Sequence, residues 1–192
     1  MYHPRRRETW QKQLDASAQV RAQRLYDHFD FLLEQKKQAE QDLLRESKKH
    51  RIVGMLETAP GFGPIRAARL VPIVVTPHRF RTKRQFWSYS GFAVVTRSTD
   101  DYRIKRGKLE KRTKVSTRGL NRNHNSVMKS VFKSAAKDAS RGELEDFYQS
   151  RIDAGMRSEM ALLTVARKLC AVALAIWKKG EIYDQAKAVK AT

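Results

Sequence analysis

The side chains best equipped for covalent chemistry gather in one basic stretch, Arg97-Ser98-Thr99-Asp100-Asp101-Tyr102-Arg103. The Ser98 hydroxyl is a candidate nucleophile toward a phosphodiester, with the Arg97 and Arg103 guanidiniums available to offset charge developing on the phosphate oxygens. The plain alternative is a solvated serine between arginines. Tyr102 and Tyr89 are rival nucleophiles, each with a duller role in packing or stacking. Asp100 and Asp101 are adjacent, so in a strand they point to opposite faces and make a weak metal pair. His78 and His124 have no acidic or cysteine partner at ligand spacing, and no metal site is expected in this chain. The single cysteine, Cys170, excludes a disulfide framework and a cysteine-based zinc site.

Two further segments suit anion binding. In Leu56 to Leu70, Pro60 and Gly61 predict a tight turn and Gly63 permits close backbone approach. Pro64 fits the first position of a following helix, whose outward N–H groups can hold a phosphate beside Arg66 and Arg69. This reads as a helix-hairpin-helix that grips DNA by its backbone, or more simply as a helical hairpin with a Gly/Pro turn. In Asn121 to Lys129, Asn121 and Asn125 can cap a helix or bind phosphate and bases, with Arg122 and Lys129 flanking the helix start. An ordinary N-cap cluster explains the same residues. Between the two segments, Thr82 to Ser90 predicts a short helix that exposes Lys83 and Arg84, buries Phe86 and Tyr89, and ends at Gly91.

The elements that must position these residues are mostly helical. From about Trp10 to Lys49 there is no Gly or Pro, and Ala18, Ala22, Leu25, Phe29, Leu32, Ala39 and Leu43 recur at three- and four-residue steps. That pattern predicts a long amphipathic, coiled-coil-like helix over residues 1–50, whose apolar seam needs a partner from the same chain or a second copy. Phe92 to Val95 is a short β-type run, and Thr96 to Arg118 a long basic loop with a ribbon expected around Arg106-Gly107-Lys108. Ser126 to Ser140, Glu143 to Ala154 and Ser158 to Lys179 read as helices, the last broad enough in apolar surface to be the central one. Residues after Tyr183 read as a frayed tail.

The chain has 192 residues, and 40 Lys+Arg against 20 Asp+Glu leave a formal charge of +20. From Arg66 to Lys133 there are 18 Lys/Arg and 3 Asp/Glu, so this stretch carries +15 of that charge. Charge concentrated in this way is the mark of a nucleic-acid-binding surface rather than a solubility device. The longest apolar run, residues 171–177, is too short to span a bilayer, and Met1 to Arg7 is basic with no apolar segment after it. A cytoplasmic, nucleoid-associated protein with no membrane partner is expected.

Four segments, in order, resemble the insertion-sequence transposases of the IS-one-ten type, the bridge-RNA-guided DEDD/serine recombinases. They are Leu56 to Leu70 as L-x-x-x-P-G-x-G-x-x-x-A-x-x-L, Arg79 to Gly91 as R-F-x-x-x-R-Q-F-x-x-Y-x-G, the Asn121 to Lys129 block, and Val165-Ala166-Arg167-Lys168-Leu169. The resemblance runs from about Trp10 to Tyr183. It implies a C-terminal transposase domain that supplies a serine, here Ser98, to a composite site completed by an N-terminal RuvC-like domain. That domain's four carboxylates would hold Mg²⁺, and none of the 192 residues resembles it. A truncated, split or excised piece is therefore expected, inactive alone and binding no metal. The sequence departs from the family at Ser98-Thr99-Asp100, where Ser-Gly is frequent, and at His124, where glycine is frequent.

The expected fold is mainly α: a long N-terminal coiled-coil-like helix, then, over residues 51–183, a compact helical domain with a helix-hairpin-helix and a basic, partly extended loop. Expected DNA-binding residues are Gly61, Gly63, Arg66, Arg69, Lys83, Arg84, Arg97, Arg103, Asn121, Arg122, Asn125 and Lys129. The resemblance also implies a guide RNA, and the N-terminal helix implies a homo-oligomer. The competing functions are a non-catalytic nucleic-acid-binding remnant or regulator and a helical oligomerisation module.

Overall fold

Helix dominates the computed structural model, which describes residues 4–96, 102–111 and 117–186. The chain divides into two compact units, residues 1–46 and 47–192.

In the first unit, α1 (Pro4–Gln11) precedes α2 (Ala16–Ser47), which at 32 residues is ~48 Å long at 1.5 Å per residue. The long helix expected from the apolar spacing is present, but it starts at Ala16 rather than near Trp10. The reason is Asp15, whose Oδ1 accepts the Ala18 N–H at 2.8 Å and so caps the helix. That bond holds the Asp15 carboxyl below its ordinary pKa. The chain turns here, and α1 lies back on α2. Arg7 pairs with Asp30 at 2.5 Å and sits 4.7 Å from the Tyr26 ring centroid. Val20, Leu25, Phe31 and Leu32 of α2 remain exposed.

The second unit is built around α8 (Ser158–Lys179), a long apolar helix with eight buried residues. Among the described residues it is the one helix long and apolar enough to cross a membrane by length and composition. Here its apolar side chains supply the core. Against it pack α3 (Arg51–Glu57), α5 (Lys83–Tyr89), α6 (Ser126–Ala139) and α7 (Glu145–Asp153), while α4 (Pro64–Val74) packs on α3 and α6. Phe132 of α6 is the hub. Its ring meets Phe62, Phe86 and Phe92 edge-on, at centroid distances of 5.5, 5.8 and 6.4 Å. Each such pair contributes about 0.5–1.5 kcal/mol beyond its burial. One fully buried side chain thus ties together the Gly/Pro turn, the α5 helix and the start of the basic loop.

Among the described residues of the basic loop there are two antiparallel strand pairs. β1 (Val94–Thr96) pairs with β4 (Thr117–Leu120), Val94 opposite Leu120, with a bulge before Thr96. β2 (Tyr102–Lys105) and β3 (Lys108–Lys111) form the expected ribbon, Lys105 opposite Lys108. The two turn residues, Arg106 and Gly107, both have positive φ, the geometry whose twist matches a two-residue hairpin.

Candidate nucleic-acid interface

The turn between α3 and α4 is fixed from below by α6. Gly61 has φ +72°, and a Cβ placed there would lie 2.2 Å from the Ala135 carbonyl oxygen. Only glycine lets this turn rest on the α6 backbone. Arg66 locks the same contact. Its guanidinium donates to the Gly61 carbonyl at 2.7 Å and to Ser134 Oγ at 3.1 Å, and it pairs with Asp138 at 2.6 Å. Gly61 and Arg66, both expected at the DNA, are thus engaged within the fold. Gly63 and Arg69 differ. Gly63 is the α4 N-cap with no side-chain cap, and a Cβ added to it would meet nothing within 4 Å. Arg69 is exposed. The outward face of the turn is therefore Gly63, the first turn of α4 after Pro64, and Arg69.

The asparagine block is held against α5. Asn121 Nδ2 donates to the Ser88 carbonyl and Oγ at 3.0 and 3.2 Å and to the Asn123 carbonyl at 2.7 Å. Asn125 caps α6, its Oδ1 accepting the Met128 N–H at 2.9 Å, while its own N–H donates to the Tyr89 carbonyl. His124 packs its ring where a Gly91 side chain would stand, 2.6 Å from a Cβ placed at that glycine. This accounts for the glycine that ends α5. The result is a shallow groove between the asparagines and the end of α5, lined also by Gln85, Ser88, Arg79 and the Phe80 and Tyr89 rings. The Arg79 guanidinium lies 4.9 Å from the Tyr89 ring centroid, leaving a cation over an aromatic face at the groove edge. Arg122 is exposed and Lys129 half-buried.

Thr82 caps α5 by accepting the Gln85 N–H, and Lys83 and Arg84 then stand exposed on its first turn. Lys83 Nζ sits 5.7 Å from the Trp87 ring centroid, one helical turn on. Arg103 belongs to β2, opposite Glu110. Arg97 and Ser98, with Asp100 and Asp101, lie outside the described residues. What is described is the base of their loop: the Asn121 N–H donates to the Ala93 carbonyl at 2.9 Å, and Thr96 pairs with Thr117. The loop therefore leaves and rejoins the fold beside the asparagine groove. Sequence reasoning does not single out Arg79, Ser88 and Gln85 for the site. The R-F…Q-F…Y-x-G pattern contains Arg79 and Gln85, but Ser88 falls on one of its open positions and meets its partner, Asn121, 33 residues further along the chain.

Among known protein families, residues 53–149, half of the chain, match the Transposase IS116/IS110/IS902 family. The match runs from α3 to α7 and includes the turn, α5, the basic loop and the asparagine block. No curated protein matches the chain.

Proposed function

The chain belongs to the IS116/IS110/IS902 transposase family, and from that premise we propose that it is the DNA-binding C-terminal part of an insertion-sequence transposase, contributing Ser98 as the nucleophile of strand cleavage and joining. The observation that carries this reading is the convergence of the asparagine groove and both ends of the basic loop at one place on the fold, inside the matched segment.

In the proposed reaction the Ser98 Oγ attacks phosphorus. A serine–phosphate bond forms, the scissile P–O bond breaks, and the departing DNA oxygen leaves as a hydroxyl after taking up a proton. Attack by a second DNA hydroxyl on that phosphoserine reverses the balance, restoring a phosphodiester and the serine. Gly63, the α4 N-terminus and Arg69 bind the DNA backbone, while Arg97 and Arg103 offset phosphate charge. Such contacts position DNA without reading its sequence. The same basic surface serves a guide RNA, and the exposed apolar residues of α2 join two copies. The site of action would be the cytoplasm, at the nucleoid.

Among the described residues no group of three or more His, Cys, Asp or Glu could hold a metal ion. We propose that the ion is held by a carboxylate-bearing domain, as the family resemblance implies, and no step is routed through it here. A serine hydroxyl is a weak nucleophile without a base or metal beside it, so the chain alone should bind DNA without forming a covalent adduct.

The test combines the chain with a RuvC-like domain, guide RNA, Mg²⁺ and DNA, and looks for a denaturation-resistant protein–DNA species. Ser98→Ala should abolish it while DNA affinity stays within about twofold, because only the attacking oxygen is removed. An adduct that survives Ser98→Ala but is lost in Thr99→Ala or Tyr102→Phe would show that the nucleophile is another residue.

A further inference from the structure

A second concavity in residues 47–192 shares no lining residue with the asparagine groove. It lies between α5, α7, α8 and the chain just after α8, and its cavity volume is about 380 Å³, within the range of sites that take a small organic ligand. Its floor is aliphatic, and Ala175 of α8 is exposed in it. Trp87 and Phe147 contribute aromatic surface. The Trp87 indole is fixed in place, its Nε1–H donating to the Arg167 carbonyl at 2.9 Å.

Each ring carries a lysine. Lys83 Nζ is 5.7 Å from the Trp87 centroid and Lys168 Nζ 4.6 Å from the Phe147 centroid. Lys179 and Arg167 line the same cleft, against Glu181 and Asp184. Four cations and two carboxylates leave the cleft positive, which favours an anionic occupant over an apolar peptide. Partial burial, and then the charge of Arg151, lower the Lys168 pKa, so an anion arriving there would relieve a charge already short of water. An aromatic and aliphatic interior with cations around it is the complement of a nucleobase attached to a phosphate.

We propose that this cleft binds one unpaired nucleotide of a single-stranded RNA or DNA segment, its base among Trp87, Phe147 and Ala175 and its phosphates on Lys83 and Lys179. The proposal rests on the nucleic-acid-binding reading above and adds to it a distinct, single-strand-selective site. A base stacked in a duplex is covered on both faces and cannot enter a cleft of this size. The sequence pattern conceals the site because Trp87, Phe147 and Ala175 come from three separated helices.

The experiment uses the full chain with fluorescein-labelled oligouridine, oligothymidine and a duplex DNA, each followed by anisotropy at matched salt. Ala175→Glu and Ala175→Gln fill the cleft from an exposed helical position and should leave the helical circular dichroism intact. Both should weaken single-strand binding by at least about tenfold, which is ~1.4 kcal/mol, while changing duplex binding less than about threefold. In a Trp10→Phe/Trp177→Phe background the single strand should quench the remaining Trp87 emission, and Ala175→Glu should remove the quenching. The uridine and thymidine arms distinguish RNA from DNA as the source. Unchanged single-strand affinity in both Ala175 variants, or an unquenched Trp87, overturns the proposal. If duplex binding persists in that case, the broader reading stands without the cleft. If the unmodified chain binds neither ligand, both fall together.

Discussion

Replacing Gly61 with alanine tests the claim that this glycine serves the fold rather than the DNA. The substitution carries two costs that the geometry separates. The φ of +72° is unfavourable for any residue with a Cβ, a penalty of roughly 1–2 kcal/mol. The new methyl would also stand 2.2 Å from the Ala135 carbonyl oxygen, on the backbone of a helix that cannot yield locally. Relief requires the turn and α6 to part by about 1 Å, which forfeits up to about half of each dispersion contact across that seam. The Phe62–Phe132 contact and the Arg66 contacts to Ser134 and Asp138 lie across it. Overpacking of this kind costs typically about 1–3 kcal/mol. The sum is about 2–5 kcal/mol, a large fraction of the ~5–15 kcal/mol by which a domain is stable. The unit should melt on the order of 10 °C earlier. Gly63→Ala is the internal control: its φ is −90° and nothing lies within 4 Å of the added methyl, so the loss should stay under about 1 kcal/mol. Urea unfolding followed by circular dichroism at 222 nm measures both. If the two variants unfold within about 0.5 kcal/mol of one another, beyond what the extrapolation resolves, the assignment of Gly61 to packing is wrong. In duplex binding the order should invert, with Gly63→Ala weakening DNA affinity in a protein that remains folded.

Duplex binding by the unmodified chain should weaken ~10³-fold or more between 50 and 200 mM salt, because several Lys/Arg contacts to phosphate release counterions. A titration flat across that range would remove the electrostatic basis of the interface. Leu25 and Leu32 of α2 are 71% and 52% exposed, a poor state for residues on the seam of a long helix. Leu25→Glu with Leu32→Glu should shift the species seen by light scattering to a smaller mass, with the helical signal retained. An unchanged mass would mean that the seam does not join copies.

Much of the fold is legible in one dimension. The last helix is expected from Ser158 to Lys179 and has those bounds, because its apolar residues recur at helical spacing and Gly180 follows two lysines. The α6 helix is legible for a similar reason, Asn125 being a strong N-cap before a periodic apolar face. The break before α2 is less visible. Asp15 is an equally good cap, but no Gly or Pro accompanies it, and the absence of breakers suggests continuity.

The sequence by itself determined the mainly helical class, the concentration of positive charge between Arg66 and Lys133, and the order of the family segments, since each depends on local spacing or composition. Only the tertiary structure shows which intramolecular partners the candidate residues meet. Gly61, Arg66, Asn121 and Asn125 have the types expected of phosphate ligands, yet their polar groups or their backbone are taken by Ala135, Asp138, Ser88, Tyr89 and Met128. The same physics makes a residue good at both tasks: a guanidinium, an amide or a bare glycine backbone satisfies a helix end as readily as a phosphate. Which partner it meets depends on what the fold places within 3 Å. For Arg66 and Asn121 those partners are up to 72 positions away along the chain, where no local pattern records them.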